Sequence, residues 1–141
     1  MANLAELLKT KKLRLTKARK MVFQILKNSN KALSPKDIHS KLNEASLNAD
    51  LVSVYRNLTV FSELGLAHRM QDGRYSFCKH EHNDTKHIHL IMSCTDCGRV
   101  EEVESHSHGV CKMAKDLKSI ANHLENVGSI TLQGQCTDCI H

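Results

Sequence analysis

Three stretches in the first half of the chain carry apolar residues at the three- and four-residue spacing of one helix face. Each has a start or stop signal: Thr16 is a predicted N-cap, Ser34-Pro35 opens the second helix, and Gly65 ends the third. The pattern predicts three amphipathic helices, the third over residues 53–63, with a short helix over residues 4–9 before them. Their apolar positions are Met21, Val22, Ile25 and Leu26, then Ile38 and Leu42, then Val54, Leu58 and Phe61.

Two short strands are predicted after these helices, over residues 66–70 and 74–78. Asp72-Gly73 lies between them, and Asp-Gly favours a tight hairpin turn because glycine adopts positive φ easily. Three helices followed by a hairpin predict a winged helix-turn-helix. In that arrangement the third helix enters the major groove of DNA and the hairpin lies along its backbone.

The second half of the chain follows a polar, His-rich stretch over residues 79–86. Beyond it the pattern predicts strands over residues 88–93, 99–103 and 129–132, with a helix over residues 108–124. We therefore expect two domains, residues 1–79 and 80–141. The predicted fold class is α+β: an N-terminal winged helix-turn-helix followed by a small α/β domain.

Charge is divided in the same way as the elements. Residues 1–76 contain 14 Lys and Arg against 6 Asp and Glu, while residues 77–141 contain 6 against 9. A basic half indicates a polyanionic partner such as DNA. Aromatic residues make up only 4% of the chain and Trp is absent, so the cores must be built from aliphatic side chains. A small domain with so thin a core often needs a metal or a dimer partner.

Four of the six cysteines lie in two matched pairs, Cys94-Thr-Asp-Cys97 and Cys136-Thr-Asp-Cys139. Two Cys-x-x-Cys pairs can supply the four thiolates of a tetrahedral Zn²⁺ site. A redox Cys-x-x-Cys and two disulfides are the alternatives. No apolar stretch near residue 1 is long enough for a signal peptide or a membrane span. We therefore expect a cytoplasmic protein that does not insert into membranes, and a reducing compartment favours metal binding over disulfides.

Taken in order, these motifs resemble the Fur superfamily of metal-dependent repressors. The resemblance implies a homodimer in which the C-terminal domain dimerises, and a palindromic double-stranded DNA operator. The superfamily usually has Thr where Ser53 stands, a change that keeps the hydroxyl group. The matching segments are residues 15–19, 53–58, 87–102 and 134–139.

Within the superfamily, the second metal site resembles that of zinc uptake regulators. Iron and peroxide sensors place a histidine just before the second DNA-domain helix, where Lys31 and Ala32 stand here. Zinc regulators instead use a cysteine at the end of the wing, and a thiolate is a soft ligand that suits Zn²⁺. The ligand set implied by the resemblance is His68, Cys78, His87 or His89, and Glu102.

The sequence thus predicts a zinc-responsive DNA-binding repressor of metal-uptake genes, not an enzyme, with one structural and one regulatory Zn²⁺ per subunit. By resemblance, Tyr55 contacts a thymine methyl group or a phosphate, and Arg56 a phosphate or a guanine edge. An iron or manganese sensor, a thiol–disulfide enzyme and a constitutive DNA-binding protein are the alternatives. The predicted DNA-binding residues are Ser53, Tyr55, Arg56, Lys11, Lys12, Arg14, Lys17 and Arg19.

Overall fold

The structure, a computed structural model of the 141-residue chain, describes residues 4–79, 89–103, 108–120 and 129–140. The chain divides into two compact units, residues 1–82 and 83–141. The predicted domain boundary after residue 79 borders residues outside the described ranges and stays a prediction.

The first unit contains four helices followed by a two-stranded antiparallel hairpin, in the predicted order. The strands pair Ala67 with Phe77 and Arg69 with Tyr75. Gly73 lies in the turn with φ 83°, a conformation that glycine adopts without strain. The elements are α1 (Leu4–Thr10), α2 (Lys17–Lys27), α3 (Pro35–Glu44), α4 (Leu51–Glu63), β1 (Ala67–Arg69) and β2 (Tyr75–Phe77).

Side-chain caps set where these helices begin. Thr16 caps α2 as predicted, and Ser34 caps α3 in a reciprocal capping box with Asp37. Hydrogen bonds from Ser34 lower the pKa of Asp37. Helix α4 begins two residues earlier than expected, because the side chain of Asp50 accepts a hydrogen bond from the backbone N–H of Ser53 at 2.6 Å. The sequence prediction missed the cap at Asp50 and the first two residues of α4, Leu51 and Val52.

One hydrophobic core holds the first unit together. Its aromatic centre is Phe61 on α4, whose ring meets Phe23 of α2 edge-on at 5.9 Å. The hairpin is tied to the helices by Leu33 and Tyr75, whose backbone groups exchange two hydrogen bonds of 2.8 Å. The buried residues of the core are Leu4, Leu8, Val22, Leu26, Ile38, Leu42, Val54, Leu58, Phe61, Leu66, Ala67 and Tyr75.

The second unit is built around a three-stranded sheet with β3 in the middle. The elements are β3 (His89–Cys94), β4 (Val100–Val103), α5 (His108–Ile120) and β5 (Ser129–Gly134). Strand β3 pairs antiparallel with β4 and parallel with β5. A parallel pair needs a crossover connection, and α5 lies in the connection between β4 and β5. Strand β5 runs two residues beyond its predicted end, and residues 121–124 of the predicted helix lie outside the described residues.

These observations confirm the predicted mixed α and β fold, with a helical N-terminal part and a C-terminal sheet that carries a cysteine cluster. Across the residues that the structure describes, no helix is long and apolar enough to cross a lipid bilayer.

Candidate metal sites and DNA-binding surface

The two Cys-x-x-Cys pairs converge on one point in the second unit. The Sγ atoms of Cys94, Cys97, Cys136 and Cys139 all lie within 4.8 Å of one another, and none of these cysteines forms a disulfide. The Sγ atoms of Cys97 and Cys136 are 3.8 Å apart. Tetrahedral Zn²⁺ with Zn–S bonds of about 2.3 Å holds its sulfurs about 3.8 Å apart. Number, type and spacing of the donors therefore fit one Zn²⁺ ion.

The parallel register of the sheet brings the two pairs together. Cys94 is the last residue of β3 and lies opposite Gly134, the last residue of β5. Cys136 follows two residues later, and its backbone N–H points at the Sγ of Cys94 across 3.3 Å. The first pair closes in a turn at Gly98, which has φ 72°. Pairs that are 38 residues apart in the chain thus become neighbours because β3 and β5 are neighbours.

Two polar contacts tie the two cysteine turns to each other. Arg99 beside the first turn donates to the carboxylate of Asp138 in the second at 2.7 Å. Gln135 beside the second turn donates to Asp96 in the first at 2.9 Å. Each Asp belongs to a Cys-Thr-Asp-Cys motif, so the aspartate of each motif accepts a hydrogen bond from beside the other motif. Such outer contacts orient metal ligands.

The thiols of this group differ in acidity. Hydrogen bonds from the backbone N–H groups of Cys97 and Cys136 lower the pKa of Cys94 to about 6. Hydrogen bonds with the thiols of Cys136 and Cys97 raise the pKa of Cys139 to about 12. The thiolate is the form that binds a metal. Without a metal, Cys94 is therefore favoured as a thiolate at neutral pH, whereas Cys139 must lose its proton when Zn²⁺ binds.

The hairpin of the first unit presents a second pair of soft and borderline ligands. His68 on β1 is the register partner of Ser76, and Cys78 lies two residues beyond Ser76. Side chains two residues apart along a strand share a face, so His68 and Cys78 are diagonal neighbours on one face of the hairpin. The backbone N–H of Cys78 bonds to the carbonyl of Leu66 at 2.9 Å, which extends the pairing. Cys78 is buried and His68 is half-buried.

The sheet of the second unit presents a matching pair. Glu102 on β4 is the register partner of Ile91, and His89 precedes Ile91 by two residues on β3. The Nδ1 atom of His89 lies 2.5 Å from Oε1 of Glu102. Of the two histidines that the sequence left open, His89 is thus beside the predicted glutamate. His87 lies outside the described residues.

The outer face of α4 carries the residues predicted to read DNA. Tyr55 is 47% exposed and Arg56 is exposed. Ser53 is less available, because its hydroxyl donates to Asp50 at 2.9 Å as part of the helix cap. Val52, which the sequence prediction did not include, is 57% exposed and lies one turn before Tyr55. An apolar residue three positions before Tyr55 was the available sequence signal, since valine can contact a thymine methyl group.

The segment between α1 and α2, together with the first turn of α2, carries the basic residues predicted to bind DNA. Lys12, Arg14 and Lys17 are exposed. Lys11 makes an ion pair with Glu63 at the end of α4, with 3.2 Å between Nζ and Oε2. Surface pairs of this kind contribute about 0–1 kcal/mol, so the pair leaves Lys11 able to exchange its partner for a phosphate.

Lys12 has an unusual backbone conformation, with φ 55°. Its N–H bonds to the carbonyl of Lys9, and the N–H of Leu13 bonds to the carbonyl of Leu8, each at 2.9 Å. This is a C-terminal helix cap whose left-handed residue is usually glycine. A lysine there is strained by roughly 1–2 kcal/mol.

Arg19 is half-buried, and its side chain bonds to two other residues of the first unit. Its backbone N–H bonds to the hydroxyl of Thr16, and its Nε donates to Oδ1 of Asn57 at 2.9 Å. One of its terminal nitrogens donates to the carbonyl of Arg14. The bond to Thr16 belongs to the predicted cap, whereas no signal in the sequence indicates the side-chain bonds to Asn57 and Arg14.

Comparison with known proteins gives concordant matches. Residues 10–118 match the model of the ferric uptake regulator family. The chain is 31% identical over 139 residues to the ferric uptake regulation protein of Cupriavidus metallidurans, covering 92% of this chain and 90% of the relative. It is 27% identical to the peroxide operon regulator of Bacillus subtilis, covering 95% and 89%. A solved zinc uptake regulator complexed with zinc and DNA superposes with a TM-score of 0.74 at 26% identity, covering 96% of this chain and 89% of that one.

Proposed function

Because this chain belongs to the ferric uptake regulator family of metal-responsive transcriptional regulators, we propose that it is a zinc-responsive DNA-binding repressor of metal-uptake genes. Members of the family are transcription regulators and not enzymes, so the thiol–disulfide interpretation is dropped. Under this proposal the protein binds chromosomal DNA in the cytoplasm.

The first part of the proposal is a structural Zn²⁺ on Cys94, Cys97, Cys136 and Cys139. Four cysteine Sγ atoms within 4.8 Å of one another, with those of Cys97 and Cys136 at 3.8 Å, support it. A closed shell of four protein ligands leaves no position for a substrate, as expected of an ion that stabilises a fold. This ion would connect the ends of β3 and β5 and so hold the sheet of the second unit together.

The second part is a regulatory Zn²⁺ that takes two ligands from each unit. The hairpin pair, His68 and Cys78, and the sheet pair, His89 and Glu102, each lie on one face of a regular element. The observation that carries the choice of zinc is Cys78, a buried cysteine diagonal to a histidine on the hairpin. Thiolate ligands suit Zn²⁺, whereas carboxylate and imidazole without thiolate suit other divalent ions as well.

The proposed mechanism follows from this division of ligands. An ion shared by two units fixes their relative orientation, and it favours the bound orientation only by its difference in affinity for the two states. In a homodimer that orientation decides whether two copies of α4 reach successive half-sites of a palindrome. Couplings of this kind are typically about 1–3 kcal/mol, or roughly 5- to 150-fold in DNA affinity.

On DNA, the exposed face of α4 would enter the major groove. Tyr55 would contact a thymine methyl group or a phosphate, Arg56 a phosphate or a guanine edge, and Val52 a further methyl group. The basic side chains around the start of α2 would bind phosphates and the minor groove, which accounts for the charge of the first unit. The proposed basic contacts are Lys11, Lys12, Arg14 and Lys17.

An iron or manganese sensor is the second candidate. It is favoured by the curated relatives, whose names are mainly those of ferric uptake and peroxide regulators. Its metal site would lack the histidine that iron and peroxide sensors place just before the second DNA-domain helix, because Lys31 and Ala32 stand there.

A titration of DNA binding with each metal tests the proposal. The probe is a duplex selected from random sequences by the zinc-loaded protein, and the metals are Zn²⁺, Fe²⁺ and Mn²⁺. We expect Zn²⁺ to activate binding at the lowest free concentration. Native mass spectrometry should count two zinc ions per subunit, one of them removed by mild chelation.

Cys78→Ser is the decisive variant. It should lose the labile ion and the response of DNA binding to Zn²⁺, while keeping the tight ion. Cys111→Ser, a cysteine in neither proposed ligand set, is the matched control and should keep both ions. Activation by Fe²⁺ with an unaffected Cys78→Ser protein would establish the second candidate instead. DNA binding that survives removal of the labile ion would identify a constitutive binder.

A further inference from the structure

We propose that Arg19 is a positioning residue that sets the orientation of the recognition helix α4 through Asn57, and not a phosphate contact. The proposal rests on the DNA-binding part of the proposed function and is independent of which metal regulates it. It reassigns a residue that the sequence grouped with the phosphate-binding lysines.

The guanidinium of Arg19 joins three segments of the first unit. It lies in the first turn of α2, donates from Nε to Oδ1 of Asn57 on α4 at 2.9 Å, and donates from a terminal nitrogen to the carbonyl of Arg14. The contact with Asn57 spans 38 residues of sequence. One planar group thus ties the basic segment before α2 to the recognition helix.

Asn57 occupies a position that packing alone would give to an apolar residue. It is 6% exposed and lies on the inner side of α4 beside Val54, Leu58 and Phe61, which are all buried. A buried amide that loses its hydrogen-bond partner costs about 1–3 kcal/mol. The bond to Arg19 is directional, whereas the surrounding apolar contacts are not. It therefore disfavours rotation of α4 about its axis.

The position of Asn57 in the sequence connects this bond to DNA reading. Asn57 directly follows Arg56, and Tyr55 precedes it by two residues. Successive residues of an α-helix are turned by about 100° about its axis. If the side chain of Asn57 is held pointing inward, the side chains of Arg56 and Tyr55 are therefore held pointing outward. A small rotation would move the tips of both outward side chains relative to the bases.

Lysine cannot replace Arg19 in this role. The arginine donors point in fixed, separate directions within a plane, and lysine carries one compact ammonium group on a flexible chain. Arg19→Lys therefore keeps the charge and removes the double contact. A phosphate contact depends mainly on charge, and a positioning contact depends on geometry, so this substitution separates the two roles.

The experiment measures affinity for the selected duplex and for a scrambled duplex, each over a range of salt concentrations. Arg19→Lys and Asn57→Ala should each lower the ratio of specific to non-specific affinity about five- to tenfold, with an unchanged salt slope. The double variant should be little worse than either single variant, because both break the same bond. Lys17→Ala is the contrasting variant: it should weaken both duplexes alike and reduce the salt slope by about one.

Asn57→Asp provides a rescue. It keeps an oxygen acceptor for Arg19, and its added charge affects both duplexes alike, so the affinity ratio should stay near that of the unaltered protein. Thermal unfolding and zinc content of each variant show whether loss of the ratio accompanies unfolding. The proposal is overturned if Arg19→Lys is folded and keeps the affinity ratio of the unaltered protein, and if the ratio falls only in variants that are unfolded.

A second result also overturns it. If Arg19→Lys binds like the unaltered protein while Arg19→Gln weakens both duplexes alike and lowers the salt slope by about one, Arg19 is a phosphate contact. A failure of the proposed function is distinguishable, because the unaltered protein would then select no preferred duplex. In that case no sequence preference exists for Arg19 to support, and both proposals are wrong.

Discussion

Among the residues that the structure describes, the two units bury their apolar side chains to very different extents. In the first unit, twelve buried residues from all four helices and the hairpin form one core. In the second, the buried apolar residues that the structure describes are Leu90, Ile91 and Cys94. Met92 and Leu132, register partners on β3 and β5, are instead 46% and 45% exposed.

This difference indicates that the units depend on different interactions. The core of the first unit packs its helices and hairpin together. In the described part of the second unit few apolar side chains are buried, and small domains with a thin core often rely on a metal for support. The four cysteines lie where that support is required, at the ends of the two strands that pair in parallel. Metal loss and core mutations should therefore affect different halves of the molecule.

Removal of one structural ligand should have the largest effect. Cys136→Ser should abolish binding of the tight zinc ion. Because apparent binding energies of such ions are about 10–16 kcal/mol, the sheet of the second unit should then open. Hydrogen exchange should show loss of protection in β3 and β5, with the amides of α2 and α4 still protected. Cys78→Ser is the control and should leave the sheet protected. Slow exchange in β3 of a zinc-free protein would contradict the comparison.

A core substitution in the first unit should destabilise that unit and leave the second unit intact. Leu42→Ala removes a fully buried side chain of α3 and should destabilise that unit by about 2–5 kcal/mol. Protection of α2, α3 and α4 should fall, while the protein keeps its tight zinc ion. Measurement of both on one sample tests whether the units are independent. Loss of the tight ion together with the core would show that they are coupled.

Substitution of Lys12 should have the smallest effect. It is informative because stability should rise while DNA affinity falls. Lys12→Gly relieves the strain of a lysine at φ 55° and should stabilise the first unit by about 0.5–1 kcal/mol. It also removes a charge, so DNA affinity and salt slope should fall. Denaturant unfolding and a salt series measure the two effects.

Lys12→Ala is the matched control for this prediction. It removes the same charge but keeps a Cβ atom in the left-handed conformation, so DNA binding should fall equally without a gain in stability. If both variants were equally stable, the backbone at Lys12 would carry no strain. If both bound DNA like the unaltered protein, Lys12 would lie outside the DNA-binding surface.

Local signals in the sequence predicted the elements well. The caps at Thr16 and Ser34 depend on residues three positions away, and the hairpin turn depends on Asp72 and Gly73. The start of α4 was wrong because Asp50 is equally plausible in a loop and at a helix cap. The four-cysteine group was also predictable, because each Cys-x-x-Cys pair is local in the sequence and two matched pairs are typical of a four-cysteine zinc site.

The sequence by itself therefore determined the order of the elements, the family and the donor atoms available to metals, because these follow from periodicity and short motifs. Only the tertiary structure decided that β5 lies parallel to β3, that His89 lies beside Glu102, and that Arg19 bonds to Asn57. These contacts join residues 13, 38 and 40 positions apart. Their partners are selected by strand register and helix packing, which no local pattern encodes.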